Sequence, residues 1–112
     1  KLNGIKYQLI ENKDWLSEKG FDSKKSSKFE SQQKMLSCTR TQCNQILNGY
    51  LDICSKAATA RELKMIQIKD GVNILKSKNL KQDLVSFYQK EQIEACEYCI
   101  LSTEKIKPAI QK

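Results

Sequence analysis

Apolar residues along the chain follow two short patterns that predict β-structure. Residues 4–11 alternate apolar and polar side chains, as in a strand with one buried face. Asn48 and Gly49 lie between two apolar pairs, and both central positions of a tight hairpin turn need positive φ. Residues 44–54 are therefore predicted to form a β-hairpin.

A helical repeat of apolar side chains follows Asn79. Asn79 is a favourable N-cap residue, and Gln82 is positioned to reach back to it. The apolar residues that then recur at helical spacing are Leu80, Leu84, Phe87 and Tyr88. This stripe is expected to face the core. Residues 60–68 give a more ambiguous helical face, which Asp70-Gly71 ends; its members are Leu63, Met65 and Ile66.

Segments without a clear period are predicted as turns, loops or tails: 12–20, 22–34, 55–60 and the residues around Pro108. In residues 12–20, Trp15 and Leu16 are expected to be apolar anchors. Residues 22–34 are interpreted as an exposed loop or a frayed helix. Residues 55–60 are mostly small and would either pass close to a bulky inorganic group or form a tight loop. The expected fold is a small α+β domain, residues 1–112, with a β-hairpin and two or three helices.

Five cysteines fall in two groups. Cys38, Cys43 and Cys54 surround the predicted hairpin, which would bring Cys43 and Cys54 near one another at its open end. Cys96 and Cys99 form a C-x-x-C pair, in which one turn aims both sulfurs at the same ion. The spacing predicts one buried metal or cluster site closed by two distant segments. Core filling is the alternative for any single cysteine, above all for Cys43.

The residue types limit the chemistry of such a site. Thiolates are soft ligands that suit zinc or iron–sulfur clusters, and the absence of histidine excludes His-rich catalytic zinc sites and Ser-His-Asp systems. A structural four-cysteine zinc module presenting a protein or nucleic-acid surface is one alternative. Structural disulfides are less favoured, because the cysteine number is odd and a reducing compartment is expected. Glu91, Glu94 and Glu97 share helical spacing and are expected to form a solvated face.

The formal charge of +7 points to a polyanion partner only weakly. All basic residues except Arg40 and Arg61 are lysines, whereas phosphate and groove recognition favours arginine. A solvated lysine-rich surface is expected, and nucleic acid is not an expected partner; a polyanion-binding module remains a further alternative. No apolar run approaches the ~20 residues of a membrane helix, so no membrane partner is expected. We expect the chain to be a piece of a longer cytoplasmic protein.

The cysteine spacing resembles that of a known accessory domain. Cys38, ten residues, Gly49, four residues and Cys54, with a later Cys96-Glu97-Tyr98-Cys99, is similar to the SPASM and shorter twitch domains that follow the barrel of radical S-adenosylmethionine enzymes. The sequence segments CNQILNGYLDICSKAA and IEACEYC resemble the C-terminal portions of such proteins encoded with polysaccharide and capsule biosynthesis genes. The resemblance covers residues 38–100, and residues 4–20 more loosely.

The resemblance implies an auxiliary 4Fe-4S cluster held by Cys38, Cys54, Cys96 and Cys99, with Cys43 replacing Cys38 or left spare. Residues 38–100 would be the cluster-binding core. Nothing after Cys99 supplies the cysteines of a second cluster. The chain has no C-x3-C-x2-C, so it is not expected to be catalytic alone; a preceding barrel domain would bind S-adenosylmethionine and act on a substrate that the sequence does not identify.

Overall fold

The computed structural model describes residues 4–8, 14–17, 19–65, 67, 69–102 and 104–109, which form a small α+β fold. Its elements are β1 (Trp15–Leu16), α1 (Lys28–Ser37), β2 (Gln45–Leu47), β3 (Tyr50–Asp52), α2 (Ser55–Glu62), β4 (Val72–Asn73), α3 (Leu80–Tyr88), α4 (Glu94–Tyr98) and β5 (Lys105–Ile106). A short 3-10 helix, Thr39–Gln42, follows α1. The chain divides into two compact units: a terminal unit of Lys1–Lys19 with Ser102–Lys112, and a central unit of Gly20–Leu101 that contains all five cysteines.

The terminal unit contains an antiparallel strand pair. β1 pairs with β5, with Trp15 opposite Ile106. The backbone N–H of Ser17 extends the ladder by donating to the Glu104 carbonyl at 2.8 Å. The segments predicted as a turn and a tail are therefore partly strands. Trp15 is half-exposed rather than a buried anchor.

The strand predicted over residues 4–11 is not observed in its described part. Within residues 4–8, Ile5 forms a single bridge and no strand is present. Ile5 and Tyr7 are 64% and 63% exposed. Residues 9–11 lie outside the described residues. The prediction was wrong for residues 4–8 because alternation identifies which side chains share a face, not whether another element covers that face.

The β-hairpin is confirmed and is part of a three-stranded sheet. β2 and β3 pair antiparallel around Asn48 and Gly49, whose φ values are 50° and 79°. β4, which follows the predicted break at Asp70-Gly71, joins the other edge of β3 to give the order β2-β3-β4. Gly71 is required there by space, because a Cβ on it would lie 2.7 Å from Asp52 Oδ1. This third strand was not predicted.

Two segments contain helices: residues 22–34, predicted as an exposed loop or a frayed helix, and residues 55–60, predicted as a tight loop or a passage beside an inorganic group. Residues 22–34 include the start of α1, where Ser27 Oγ accepts from the Glu30 N–H at 3.2 Å and Glu30 Oε2 accepts from the Ser27 N–H at 2.8 Å. This capping box satisfies two amide donors that a helix start otherwise leaves unpaired. Residues 55–60 belong to α2, which places three alanines in the interior: Ala57, Ala58 and Ala60. The described residues thus contain four α-helices instead of two or three.

The helical face predicted over residues 60–68 is wrong. α2 ends at Glu62, and the backbone turns at Lys64 with a φ of 53°. Leu63 and Met65 are 65% and 56% exposed, so they form no buried stripe. Ile66 lies outside the described residues. The prediction failed because α2 buries its alanines, while the apolar residues of the predicted face lie beyond the last residue of that helix.

The helix predicted after Asn79 is confirmed as α3. The Asn79 side chain accepts from the Gln82 N–H at 3.2 Å, although the Gln82 side chain donates to Ser86 instead of reaching back to Asn79. Phe87 is buried and Leu84 packs against the core. Leu80 and Tyr88 are 37% and 60% exposed, so only half of the predicted stripe faces the interior.

The hydrophobic core lies in the central unit, where the sheet and the helices meet. Its buried residues are Leu51, Ile53, Ala57, Ala60, Val72, Phe87, Ile93 and Ala95. Phe21, Met35, Cys54 and Cys96 are among the partly buried side chains that pack against it. Two cysteines of the predicted site therefore touch the core directly. Among the described residues, no helix has the length and apolarity to span a bilayer.

Candidate functional site

Cys54 lies at the beginning of α2 as its N-cap residue. Its backbone is extended, with φ −158° and ψ 167°, and its Sγ accepts from the Ala57 N–H at 3.4 Å. An N-cap side chain normally satisfies one of the free amides of the first helical turn, and the sulfur takes the place of the usual oxygen. The hairpin ends immediately before Cys54, so the sheet and α2 together position this thiol.

Cys96 and Cys99 are held by α4, a short helix beside the core. Cys96 lies within α4 and Cys99 is its C-cap residue. The start of α4 is fixed by Asp70, whose carboxylate accepts from the Glu94 N–H. At the other end, Cys99 forms a β-bridge with Phe21 and its Sγ accepts from Lys56 Nζ at 3.2 Å.

Cys38 ends α1, which packs against α4. Ser31, fully buried on α1, donates to the Ile93 carbonyl at 3.4 Å, just before α4 begins. Ser26 Oγ, ahead of α1, donates to the Glu97 carbonyl at 2.7 Å. These bonds fix α1 along α4 and bring its C-terminal cysteine to the same part of the central unit.

The electrostatics of the thiols show that four of them are neighbours. Burial, with smaller contributions from the neighbouring thiols of Cys99, Cys54 and Cys38, raises the pKa of Cys96 to about 12. Burial also raises the pKa of Cys54, against the effect of its backbone hydrogen bonds, and Cys99 and Cys38 add to the rise. Charges act on one another mainly within about 10 Å. We call Cys38, Cys54, Cys96 and Cys99 the thiol cluster.

Cys43 differs from these four. It is exposed, whereas each member of the thiol cluster is half-buried. It precedes β2 and is not among the groups that shift the pKa of Cys54 or Cys96. The hairpin ends do meet next to it, because Asn44 Nδ2 donates to the Ile53 carbonyl at 3.0 Å. Its role as a ligand stays a prediction.

The fit of the thiol cluster to a metal group depends on its donor chemistry. In the part of the chain that the structure describes, no three Cys, Asp or Glu side chains are arranged to hold a metal ion. The cluster nevertheless supplies four soft donors, half-buried against the core, with N–H groups directed at two of the sulfurs. Iron–sulfur clusters use thiolate ligands and are tuned by such hydrogen bonds, so the donor set fits one.

Glu97, between the two cysteines of α4, is not part of a solvated face. It is 4% exposed, and Lys25 Nζ lies 2.7 Å from its Oε2, an oxygen with no other hydrogen-bond partner among the described residues. Gln92 Nε2 donates to its Oε1. Hydrogen bonding and attraction to this carboxylate raise the pKa of Lys25. Of the other two glutamates predicted to form a solvated face, Glu91 is exposed and Glu94 is half-buried.

Sequence reasoning missed the groups that donate to the sulfurs. These are the Ala57 N–H on Cys54 and the Lys56 ammonium on Cys99. Both belong to the first turn of α2, in a segment predicted as a loop or as a passage beside an inorganic group. The available indication was Cys54-Ser55-Lys56-Ala57 itself, which reads as an N-cap and first turn once a helix is assumed there.

Comparison with known proteins adds no assignment. No protein-family model, no curated protein and no solved structure matches the chain.

Proposed function

We propose that the chain is an auxiliary 4Fe-4S cluster domain of a radical S-adenosylmethionine enzyme, of the kind encoded with polysaccharide biosynthesis genes. The ligands in this proposal are the four residues of the thiol cluster, and Cys43 is spare. The cysteine spacing C-x10-G-x4-C with a distant C-x-x-C supports the family part of the proposal.

The observation that carries the proposal is the meeting of cysteines from distant segments. Cys38 and Cys54 flank the hairpin, while Cys96 and Cys99 are carried by α4, yet Cys38 and Cys99 both act electrostatically on Cys54 and on Cys96. A protein that used its cysteines only as small apolar residues would not need three of them at the ends of three different helices and a fourth within one of those helices. Three of them are capping residues: Cys38, Cys54 and Cys99.

Each part of the site would have a separate task. When bound, the cluster would supply electron transfer or a surface that positions substrate. The four thiolates would bind iron, and the core residues behind Cys54 and Cys96 would exclude water from one side. The Ala57 N–H and the Lys56 ammonium would offset negative charge on the sulfurs. With four protein ligands, electron transfer or structural support is favoured over direct substrate binding.

The proposal includes a partner and a compartment. The partner is a barrel domain, preceding this chain in the full-length protein, that binds S-adenosylmethionine and contacts the unidentified substrate. Free thiols at these positions suit a reducing compartment such as the cytoplasm, where glutathione and thioredoxin keep cysteines reduced.

The first test is metal analysis of the chain produced and purified without oxygen. We expect iron and acid-labile sulfide near roughly four each per chain, with a broad brown absorption band. One zinc per chain without sulfide would replace the proposal with a structural four-cysteine zinc module. A chain with neither metal that binds polyanions with a steep salt dependence would instead support the polyanion-binding alternative.

Single cysteine variants test the ligand assignment. Cys96→Ala or Cys99→Ala is expected to abolish cluster binding, and Cys54→Ala to reduce it strongly, because each removes one thiolate of four. Cys43→Ala is the matched control and should retain the parent's iron content, since Cys43 is exposed and outside the thiol cluster. Iron content in Cys54→Ala equal to that of the parent would contradict the assignment.

A further inference from the structure

The side chain of Lys56, on α2, extends to the C-terminal end of α4. It donates to Cys99 Sγ at 3.2 Å and to the Ile100 carbonyl, also at 3.2 Å. Its Nζ is 5.4 Å from the centre of the Phe21 ring. Lys56 is half-buried, and the Cys99 sulfur, the Ile100 carbonyl and the Phe21 ring together hold its charge in place.

The backbone that carries Lys56 is directed at a second sulfur. Lys56 is the second residue of α2, two positions after Cys54, and the next N–H, that of Ala57, donates to Cys54 Sγ. The amides of a first helical turn carry partial positive charge. One turn of α2 therefore presents positive charge to both Cys54 and Cys99, through its backbone and through its lysine.

We propose that Lys56 is a positioning residue that raises the reduction potential of the cluster, an inference that rests on the function proposed above. One-electron reduction by a low-potential donor adds one negative charge to the site, and no covalent bond forms or breaks. A fixed cation beside Cys99 stabilises the more negative state more than the less negative one. Hydrogen bonds to cysteine sulfur and partial burial shift iron–sulfur potentials in this way.

The test compares midpoint potentials in variants of the full chain that hold the cluster. Lys56→Met removes the charge and keeps most of the side-chain length, and Lys56→Arg keeps the charge. Lys81→Met is the matched control, because Lys81 is exposed and is likewise the second residue of a helix, α3, behind its N-cap Asn79. Each variant is titrated with dithionite without oxygen and followed by electron paramagnetic resonance, with iron and sulfide measured on the same sample.

Lys56→Met is expected to lower the midpoint potential, while Lys56→Arg stays closer to the parent and Lys81→Met equals it. An unchanged potential in fully loaded Lys56→Met overturns this inference and leaves the proposed function standing. If Lys56→Met holds no cluster, Lys56→Gln is titrated in its place. If both neutral variants are empty and Lys56→Arg is loaded, Lys56 acts in assembly and the claim about potential is overturned. A parent without iron and sulfide overturns the proposed function and this inference together.

Discussion

Arg61 joins α2 to the hairpin. Its Nε and Nη2 donate to Asp52 Oδ2 at 3.1 and 2.9 Å, and Nη2 also donates to the Leu47 carbonyl at 3.1 Å. Its guanidinium carbon lies 4.4 Å from the centre of the Tyr50 ring. Asp52 is 1% exposed, so its carboxylate depends on this cation. One guanidinium group therefore neutralises the buried carboxylate of β3 and ties that strand to α2.

Arg61→Met should destabilise the chain severely. The variant leaves the buried Asp52 carboxylate without its cation, which typically costs about 3–5 kcal/mol in the free energy of unfolding. Urea denaturation measures this cost. The double variant Asp52→Leu/Arg61→Met removes both charges and should cost less than the sum of the two single changes. A loss below about 1 kcal/mol in Arg61→Met, the level of an exposed ion pair, would contradict this account.

At the scale of elements, the capping box of α1 predicts a pH dependence. The Ser27 N–H donates to Glu30 Oε2 and lowers the pKa of Glu30 from its ordinary value of 4.5. The folded state thus favours the ionised carboxylate. The resulting stabilisation is present above the unfolded pKa and is lost as the pH falls through the lower folded pKa.

Glu30→Ala should therefore unfold at lower urea concentration than the parent near neutral pH, and the two midpoints should converge under acid conditions. Ser27→Ala removes the other half of the capping box and should cost about 1 kcal/mol near neutral pH. This cost should fall only in part under acid conditions, because the Ser27 side chain also lowers the pKa of Glu30. A difference between the parent and Glu30→Ala that does not change with pH would show that the carboxylate does not act through its charge.

The hairpin turn depends on the backbone conformation of Gly49. Gly49 has a φ of 79°, where an L side chain is strained, and an added Cβ would lie 2.7 Å from Leu75 Cδ1. Leu75 is 81% exposed and can move aside, so backbone strain decides the cost. Gly49→Ala is expected to lose about 1–2 kcal/mol of unfolding free energy. Gly20→Ala is the matched control, since Gly20 has no atom within 4 Å of its Cβ position and no positive φ. Equal stability of the two variants would contradict the assigned turn.

Elements with self-contained local chemistry were predictable, and those defined by packing were not. Asn48-Gly49 and Asn79 specify a turn and a cap within a few residues, and both are confirmed. α1 has an equally local capping box, but its apolar residues show no helical period, so the loop and helix alternatives stayed open. α2 was missed because alanines are small and its cap is a cysteine. β4 has two residues, and only its pairing with β3 defines it.

At the scale of the molecule, all five cysteines lie in the central unit, and whether they hold a metal or cluster stays a prediction. The spacing of the cysteines anticipated that distant segments would meet, and Cys38, Cys54, Cys96 and Cys99 do so within the central unit. Cys43 followed the same spacing but lies exposed. The Ala57 N–H donor was in principle readable from the local sequence, whereas the Lys56 contact with Cys99 was not, because it joins residues 43 positions apart.

The composition of the central unit predicts that it folds by itself. Gly20–Leu101 contains every residue of the hydrophobic core, the Arg61–Asp52 pair and all five cysteines. A chain of residues 20–101 should therefore unfold in one transition, with a free energy of unfolding within about 0.5 kcal/mol of the full chain, the size of effect expected from changes away from the core.

Urea denaturation of the 20–101 chain beside the full chain, both prepared without oxygen, measures this stability, and iron analysis shows whether the shorter chain binds the same metal content. The control is a full chain carrying Trp15→Ala, a change in the β1–β5 pair of the terminal unit. If both altered chains keep the parent's stability and metal, the central unit is the complete cluster-binding module. A 20–101 chain that unfolds broadly, or loses metal that Trp15→Ala retains, would mean that the terminal unit is needed to hold the four cysteines in place.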